Sequence, residues 1–401
     1  MIGFVELFCR DRRHAPFNAG FIRTLHHAFP SERISIACAD HHYRAILEHI
    51  PAAERVHLSV TSIDLPDRFD DAYHHVTLAR FLAEFRLLRK LVSQSADVRL
   101  LVVSSLSSTG IFAARFLAAS RSSRRVAVHS ILHDNAGVID GWRTRNPLLR
   151  WLDMQSALRR ASGPRLRFIV LEDPIRGRLE ERLPALRGRI DVVRQAIDPN
   201  ESGGETIAEL LELRSPVKIG FLGMATRAKG YDAFLRIASE FGRAHPGAAE
   251  FHGVGMLHSE FEGADQSALS VPMTPMGLNR AAYAAAVSRL HYACLPYSGS
   301  YYRFIASGVL VDAIAWCKPI IAIEQPVLTE ARTRFGDVGY LCRDEAEVRS
   351  VIRDIALRPD PRRYAAQLEA MSRWRQTRLP SALGREYGRT VQRVFPGLFC
   401  D

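Results

Sequence analysis

With 401 residues, 47% of them apolar and 24% charged, the chain is long enough for two globular domains with a core each, and it holds neither a low-complexity tract nor a repeat. Its net charge of +11 is uneven, since residues 1–200 carry 30 Lys and Arg against 21 Asp and Glu and the remainder 24 against 22; that field suits an anionic membrane face or an acidic lipid-linked substrate, whereas the lack of a recognition helix or aromatic-rich basic platform argues against nucleic acid. A bilayer crossing is excluded, because it needs roughly 20 uncharged apolar residues and the best run, 100–114, is too short and holds several serines.

Residues 2–9 read as a first strand. Glu6 inside so short an apolar stretch argues against a secretory signal, so the expected location is cytoplasmic, peripheral to the inner face of the plasma membrane. A loop, 10–16, then leads to a helix over 17–29 closed by Pro30. Asn18-Ala19-Gly20 would open that helix, either as a small-residue loop facing substrate or as an ordinary start with Asn18 as its cap. Strands at 33–39, 56–60, 98–104 and 125–132 alternate with helices at 77–93 and 109–119. That alternation predicts a parallel, doubly wound sheet.

The last of these strands runs into His133-Asp134-Asn135, and catalytic side chains in such sheets emerge at the strands' carboxyl ends. Two readings of His133 stand, a functional group or a strand-capping imidazole. The stretch 142–167, with leucine, tryptophan and seven arginines, reads either as a surface for an anionic membrane or as a core-packing helix with a solvated face. A strand at 167–172, a helix at 173–183 and a strand at 191–194 complete the first domain, which ends in an Ile-Asp198-Pro199 turn. The six cysteines (Cys9, Cys38, Cys294, Cys317, Cys342, Cys400) are scattered with no C-x-x-C, a pattern of reduced thiols and not of a zinc site.

Residues 199–215, with Glu201-Ser-Gly-Gly204, read as a linker. A strand at 217–222 feeds the loop from Gly223 to Gly230, which holds Met224, Arg227 and Lys229, and a helix begins near Tyr231. Gly253-Val-Gly255 follows a strand at 249–251, and its glycines would let a nucleotide base approach. The stretch 295–323 reads as strand, polar loop, helix and strand. Ser307 and Gly308 open its helix, where free N–H groups and the missing side chain invite a diphosphate. Asp312 lies one turn further in and can accept hydrogen bonds from hydroxyls. Only four basic residues are lysines, among them Lys229 and Lys318; Lys318 reads as an exposed lysine favoured by the helix dipole.

The segment Gly308-Val-Leu-Val-Asp312-Ala-Ile-Ala-Trp-Cys-Lys318-Pro319-Ile-Ile-Ala322 resembles the donor-binding signature of the retaining glycosyltransferase family with the GT-B fold, which includes bacterial polysaccharide mannosyl- and glucosyltransferases. The resemblance implies an α/β chain of two Rossmann-like domains facing a cleft. Residues 1–200 would form an acceptor-side domain, 201–215 a linker, 216–360 a nucleotide-sugar-binding domain, and 361–401 a helical tail crossing back to the first. It implies transfer of a sugar from a UDP- or GDP-linked donor to a lipid-linked or polysaccharide acceptor in cell-surface glycan synthesis, with no metal and no further cofactor.

By the same resemblance His133, Lys229 and Asp312 are the catalytic set. Gly223, Arg227, Lys229, Arg303, Ser307, Gly308, Val309 and Asp312 hold the donor, and Asn18, Gly20, Asp134 and Asn135 lie on the acceptor side. Two positions depart from the family pattern: Phe304 stands where the first acid of the signature would fall, and Met224 where the family has an arginine, so that Arg227 or Arg303 is left to supply the cation. These two losses are the basis of an alternative, a catalytically silent partner of another transferase.

Overall fold

The structure is a computed structural model and describes every residue except 65–75, 95–96, 120–125, 134–136, 138, 140–143, 145, 161–162, 199–211, 298–301 and 400–401. The chain forms two compact units. The first comprises Met1–Ala196, Arg303–Ala306 and Arg378–Asp401, and the second Ile197–Tyr302 and Ser307–Thr377.

In the first unit the strands are β1 (Ile2–Glu6), β2 (Ile34–Cys38), β3 (Leu58–Ser62), β4 (Leu100–Ser105), β5 (Ala127–Ile131), β6 (Leu166–Val170) and β7 (Ile190–Val192). They pair in the order β3-β2-β1-β4-β5-β6-β7, and every pairing is parallel. Between them run the helices α1 (Ala15–Ala28), α2 (Asp40–Glu48), α3 (Leu78–Gln94), α4 (Ser108–Ala119), α5 (Met154–Arg160) and α6 (Asp173–Arg182). Alternate strand residues feed opposite faces, as the pleat requires. Val5, Leu101, Val103 and Val128 join one core, whereas Phe4, Leu100, Val102 and Ala127 join the other.

Three sequence expectations shift here. Helix α1 starts at Ala15, because Pro16 presets the first helical turn and His14, at φ 58°, takes the cap position. Asn18 and Gly20 therefore lie inside the helix and do not open it. The third strand begins at Leu58, because residues Ala52–His57 form a 3₁₀ turn after Pro51, which leaves Val56 80% exposed.

The second unit has a five-stranded parallel sheet of β8 (Val217–Ala225), β9 (Ala249–Leu257), β10 (Tyr292–Leu295), β11 (Ile320–Ile323) and β12 (Gly339–Cys342). Its order is β12-β11-β10-β8-β9. The helices are α7 (Tyr231–Ala244), α8 (Arg280–Ser288), α9 (Gly308–Ala315), α10 (Pro326–Phe335), α11 (Glu345–Leu357) and α12 (Pro361–Gln376). One face packs Ile219, Phe221, Tyr292 and Ile321 against Phe234 of α7, Ile352 of α11 and Leu368 of α12.

The carboxyl-terminal helical stretch is broken before Pro380, whose ring cannot continue α12, and a last helix, α13 (Pro380–Val394), belongs to the first unit. There its Tyr387 is buried and meets the Nδ1 of His129 at 2.9 Å. The other ring nitrogen of His129 lies 3.3 Å from Asp191, which Arg167 grips through two nitrogens. Burial alone would raise the Asp191 pKa, but the hydrogen bonds from His129 and Arg167 prevail and hold it at about 2. Among the described residues no helix is long and apolar enough to cross a membrane.

At the start of this return the Arg378 guanidinium, 1% exposed, donates to both oxygens of Glu172 at 2.8 and 3.0 Å. A buried carboxylate robbed of its partner keeps its desolvation cost and loses the attraction that offset it. Arg378→Ala is expected to destabilise the first unit by about 3–5 kcal/mol, read as a lower urea midpoint at unchanged slope. Exchange of both partners for apolar residues, Arg378→Met with Glu172→Leu, should recover most of that loss.

Candidate functional site

The second sheet reverses its winding between β8 and β10: the chain steps to β9 on one side and to β11 and β12 on the other. At such a point the loops leaving the two strands part and open a crevice at the strands' carboxyl ends. Gly223 lies near the end of β8 with φ +86°, and a Cβ there would sit 2.4 Å from Val309 Cγ1 and 4.0 Å from Lys229 Nζ. The strand end, the lysine and the first turn of α9 thus meet at one glycine. On the neighbouring strand, a Cβ on Gly255 would fall 1.9 Å from the Gly223 carbonyl oxygen. Gly230, at φ +74°, brings the loop after β8 against Pro296 at the end of β10, where a Cβ would lie 2.7 Å from the carbonyl oxygen.

Lys229 closes a 3₁₀ turn, Arg227–Lys229, whose cap Thr226 accepts from the Lys229 N–H at 3.3 Å. Arg227 is exposed, and its backbone N–H donates to Glu260. Ser307 caps α9 by accepting from Leu310 N–H and exchanges a 2.9 Å hydrogen bond with the buried Tyr297 hydroxyl. Burial raises the pKa of that phenol, so it stays a neutral hydrogen-bonding group. The Ser307 side chain is therefore spent on the helix start. Gly308 is exposed, and a Cβ on it would meet nothing within 4 Å; its amide is open to an incoming anion.

Asp312 follows Val309 by three positions and shares its face of α9. Its Oδ2 accepts from the Tyr283 hydroxyl at 2.8 Å, and its Oδ1 lies 3.4 Å from Arg280. The guanidinium of Arg280 is spread over the Trp316 and Tyr283 rings. These contacts aim the carboxylate from the side of α8.

Two expectations in this unit are overturned. Lys318 is 2% exposed and donates through Nζ to the Ser288 carbonyl at 2.8 Å, so it ties α9 to α8 and is not a solvated helix end. Gly253 and Gly255 leave no room for a base: a Cβ on Gly253 would fall 2.5 Å from Met273 Cγ. Both glycines answer to the protein's own close packing.

In the first unit β1 and β4 flank the corresponding reversal, and polar side chains crowd their carboxyl ends. Glu6, fully buried, accepts through Oε1 from the Phe8 and Cys9 N–H groups and through Oε2 from Asn18 and Ser105. Asn18, also fully buried, is further bonded to His42 and Ser104. With no exposed surface it orients Glu6 and does not face an acceptor. Gly20 is small because Ala196 packs on it, at 3.1 Å from a built Cβ. His133 is 7% exposed, with Nε2 3.4 Å from Ser105 Oγ and its ring against those of His14 and Phe17. Asp134 and Asn135 lie outside the described residues.

Arg303 belongs to the first unit. Its neighbour Phe304 is 4% exposed within that unit's core; an acid there would sit in hydrocarbon, which accounts for the departure from the acidic signature. Three participants escaped the sequence reading: Tyr283 and Arg280, which reach Asp312 from α8, and Tyr297, which reaches Ser307 from the end of β10. Asn279-Arg280 offered the signal of a helix start, since Asn279 caps α8, but not its orientation.

No protein-family model matches the sequence, and no curated protein matches it. Solved structures do match in shape. A glycosyltransferase from Rickettsia africae is 8% identical over 99% of both chains with a TM-score of 0.67. The glycotransferase of kitacinnamycin is 14% identical, covering 98% of this chain and 99% of its own, at 0.52. A UDP-GlcNAc 2-epimerase from Neisseria meningitidis, bound to UDP-GlcNAc, is 12% identical over 98% of this chain and 100% of its own at 0.53. The chain therefore has a GT-B-like fold of two Rossmann-like domains.

Gly223→Ala tests the convergence. The added methyl meets Val309 and forces a left-handed φ on a residue with a Cβ. The expected loss is about 1–3 kcal/mol for the overpacking, seen as a lower melting temperature, with partial recovery in Gly223→Ala/Val309→Ala.

Proposed function

We propose that this chain is a nucleotide-sugar-dependent glycosyltransferase that binds a UDP- or GDP-linked donor at the carboxyl edge of its second sheet. The observation that carries the reading is the meeting of Gly223, Lys229 and Val309 beside the open start of α9. The Gly308 amide and the Lys229 ammonium would stabilise the diphosphate, and Asp312 would accept from the ribose hydroxyls. In the reaction the bond from the anomeric carbon to the phosphate oxygen breaks and its electron pair goes to the diphosphate. The acceptor hydroxyl bonds to the anomeric carbon and passes its proton to the departing diphosphate oxygen. Charge grows on the leaving diphosphate, so preorganised N–H groups and a lysine act where they lower the barrier most. His133 is assigned a contact with the transferred sugar. Retention at the anomeric carbon rests on the likeness of residues 308–322 to the retaining signature.

Titration calorimetry with UDP and GDP tests the site. Lys229→Ala is expected to weaken the preferred diphosphate about 10–100-fold, on the order of 1.4–2.8 kcal/mol, while the nucleoside alone binds equally to both proteins. Asp312→Ala should lose discrimination between ribo- and 2′-deoxyribonucleotide. His133→Ala should lower sugar transfer and leave UDP or GDP binding intact. Unchanged turnover in both Lys229→Ala and His133→Ala would remove the assignment. The uncharged Met224 and Phe304 favour one second reading, a catalytically silent partner of another transferase, for which neither diphosphate would bind.

We further propose that the acceptor is lipid-linked and met at an anionic membrane. On the first unit Leu78 and Leu82 of α3, Phe116 of α4, and Leu148 and Trp151 are all exposed. Phe81 of α3 meets Phe116, and Phe112 of α4 meets Trp151, so these elements make one continuous face. Arg86, Arg89 and Lys90 of α3 and Arg150 beside Trp151 are exposed on the same elements, and Arg159 and Arg160 are exposed on the following helix, α5. Apolar side chains among cations suit a bilayer of anionic lipid. Leu148→Glu/Trp151→Glu should abolish sedimentation with phosphatidylglycerol vesicles without changing the melting temperature; retained sedimentation would refute the surface.

A further inference from the structure

The cluster at the carboxyl end of β1 holds a group of donors that the glycosyl-transfer reading leaves unused. Glu6, Cys9 and His14 each present one ligand atom, and these atoms all lie within 4.8 Å of one another. Among the described residues this is the one group of three or more His, Cys, Asp or Glu side chains so placed. Their spacing, two residues and then four, matches no cysteine-pair motif. The loop from β1 into α1 is what gathers them.

From this geometry we infer that the first unit binds a borderline-soft divalent cation of the zinc class through Glu6, Cys9 and His14. Cys9 Sγ and His14 Nδ1 are 3.4 Å apart. In a tetrahedral zinc site, with a Zn–S bond of about 2.3 Å and Zn–N of about 2.0–2.1 Å, those two atoms stand about 3.6 Å apart. The pair is thus already at ligand separation, whereas the Glu6 oxygen, within 4.8 Å of both atoms, moves closer when the ion binds. A thiolate and a carboxylate would neutralise the ion's two charges.

The surroundings have the character of a ligand's support. Ligating groups in metal sites are held by further hydrogen bonds, and Glu6 is held by the Phe8 and Cys9 amides, by Asn18 and by Ser105. Those four donors occupy about all the lone pairs that a carboxylate has, so a cation must displace one. Ser105 is the donor with another place to go, because His133 Nε2 lies 3.4 Å from its hydroxyl. Loading the site would turn that hydroxyl from Glu6 to His133, which couples the ion to the histidine assigned to the sugar.

The test uses the full chain, stripped with chelator and titrated with Co²⁺ and then Zn²⁺. Expected are saturation at one equivalent, a thiolate-to-cobalt charge-transfer band in the near ultraviolet, and loss of that band when Zn²⁺ is added. Cys9→Ser should abolish the band and weaken Zn²⁺ by 100-fold or more, and His14→Gln should weaken it comparably. Cys38→Ser, at another buried thiol, should leave both unchanged. A wild-type protein that binds no stoichiometric cobalt, or a band that survives in Cys9→Ser, overturns the site. Should Cys9→Ser fail to fold, the wild-type titration and the partly exposed His14 variant still decide, and neither depends on nucleotide binding.

Discussion

The end of β8 receives the Val309 side chain from the first turn of α9 at a residue that has no side chain of its own, and the candidate site of the second unit follows from that approach. A Cβ beneath Val309 would lie 2.4 Å from its Cγ1, so the helix can come this close only where the strand residue carries no side chain. Gly223 is that residue, and Val309 fills the space a side chain would have taken. Gly255 clears the flank toward β9 and Gly230 the flank toward β10. Once these backbones are so close, the rest has little freedom. Lys229 returns to the strand it left, and Asp312 sits one helical turn beyond Val309.

The first unit is organised by a different constraint, the burial of charge. Glu6, Asp191 and Glu172 are all buried in it; Glu6 and Asp191 are each met by several donors, and Glu172 is met by the Arg378 guanidinium. Such groups contribute little net stability, because removal from water costs about what the pairing returns. Their effect is on uniqueness: a carboxylate with every lone pair engaged fixes the positions of all the donors around it. Arg378 and Tyr387 extend the same logic to the carboxyl-terminal stretch, which reaches acids and a histidine far away in sequence.

A fold shared at 8–14% identity with two transferases and an epimerase shows the architecture and leaves the chemistry to the side chains. The parallel sheets and the reversal of strand order are set by backbone geometry and apolar burial. The chemistry is set by the side chains at the sheets' carboxyl edges. In this chain they are Lys229, Asp312 and the open Gly308 in one sheet, and Glu6, Cys9, His14 and His133 in the other.

Strand and helix alternation, the parallel sheets and the placing of Gly223, Lys229, Gly308 and Asp312 on strand-loop-helix units could be read from the chain, because each depends on periodicity or on a local spacing that such a unit preserves. Proximity between elements was not legible. Asn18 looked like a helix opener until α1 was found to begin at Ala15, and Lys318 looked solvated until the Ser288 carbonyl was seen to receive it. Tyr283 meets Asp312 across 29 positions. The Glu6, Cys9 and His14 donors converge only after a loop turns back on its own strand. Sequence alone determined the alternation of strand and helix, since that follows from local backbone preference and hydrophobic pattern. The tertiary structure decided which polar atoms meet, since that depends on how separate elements close around one another.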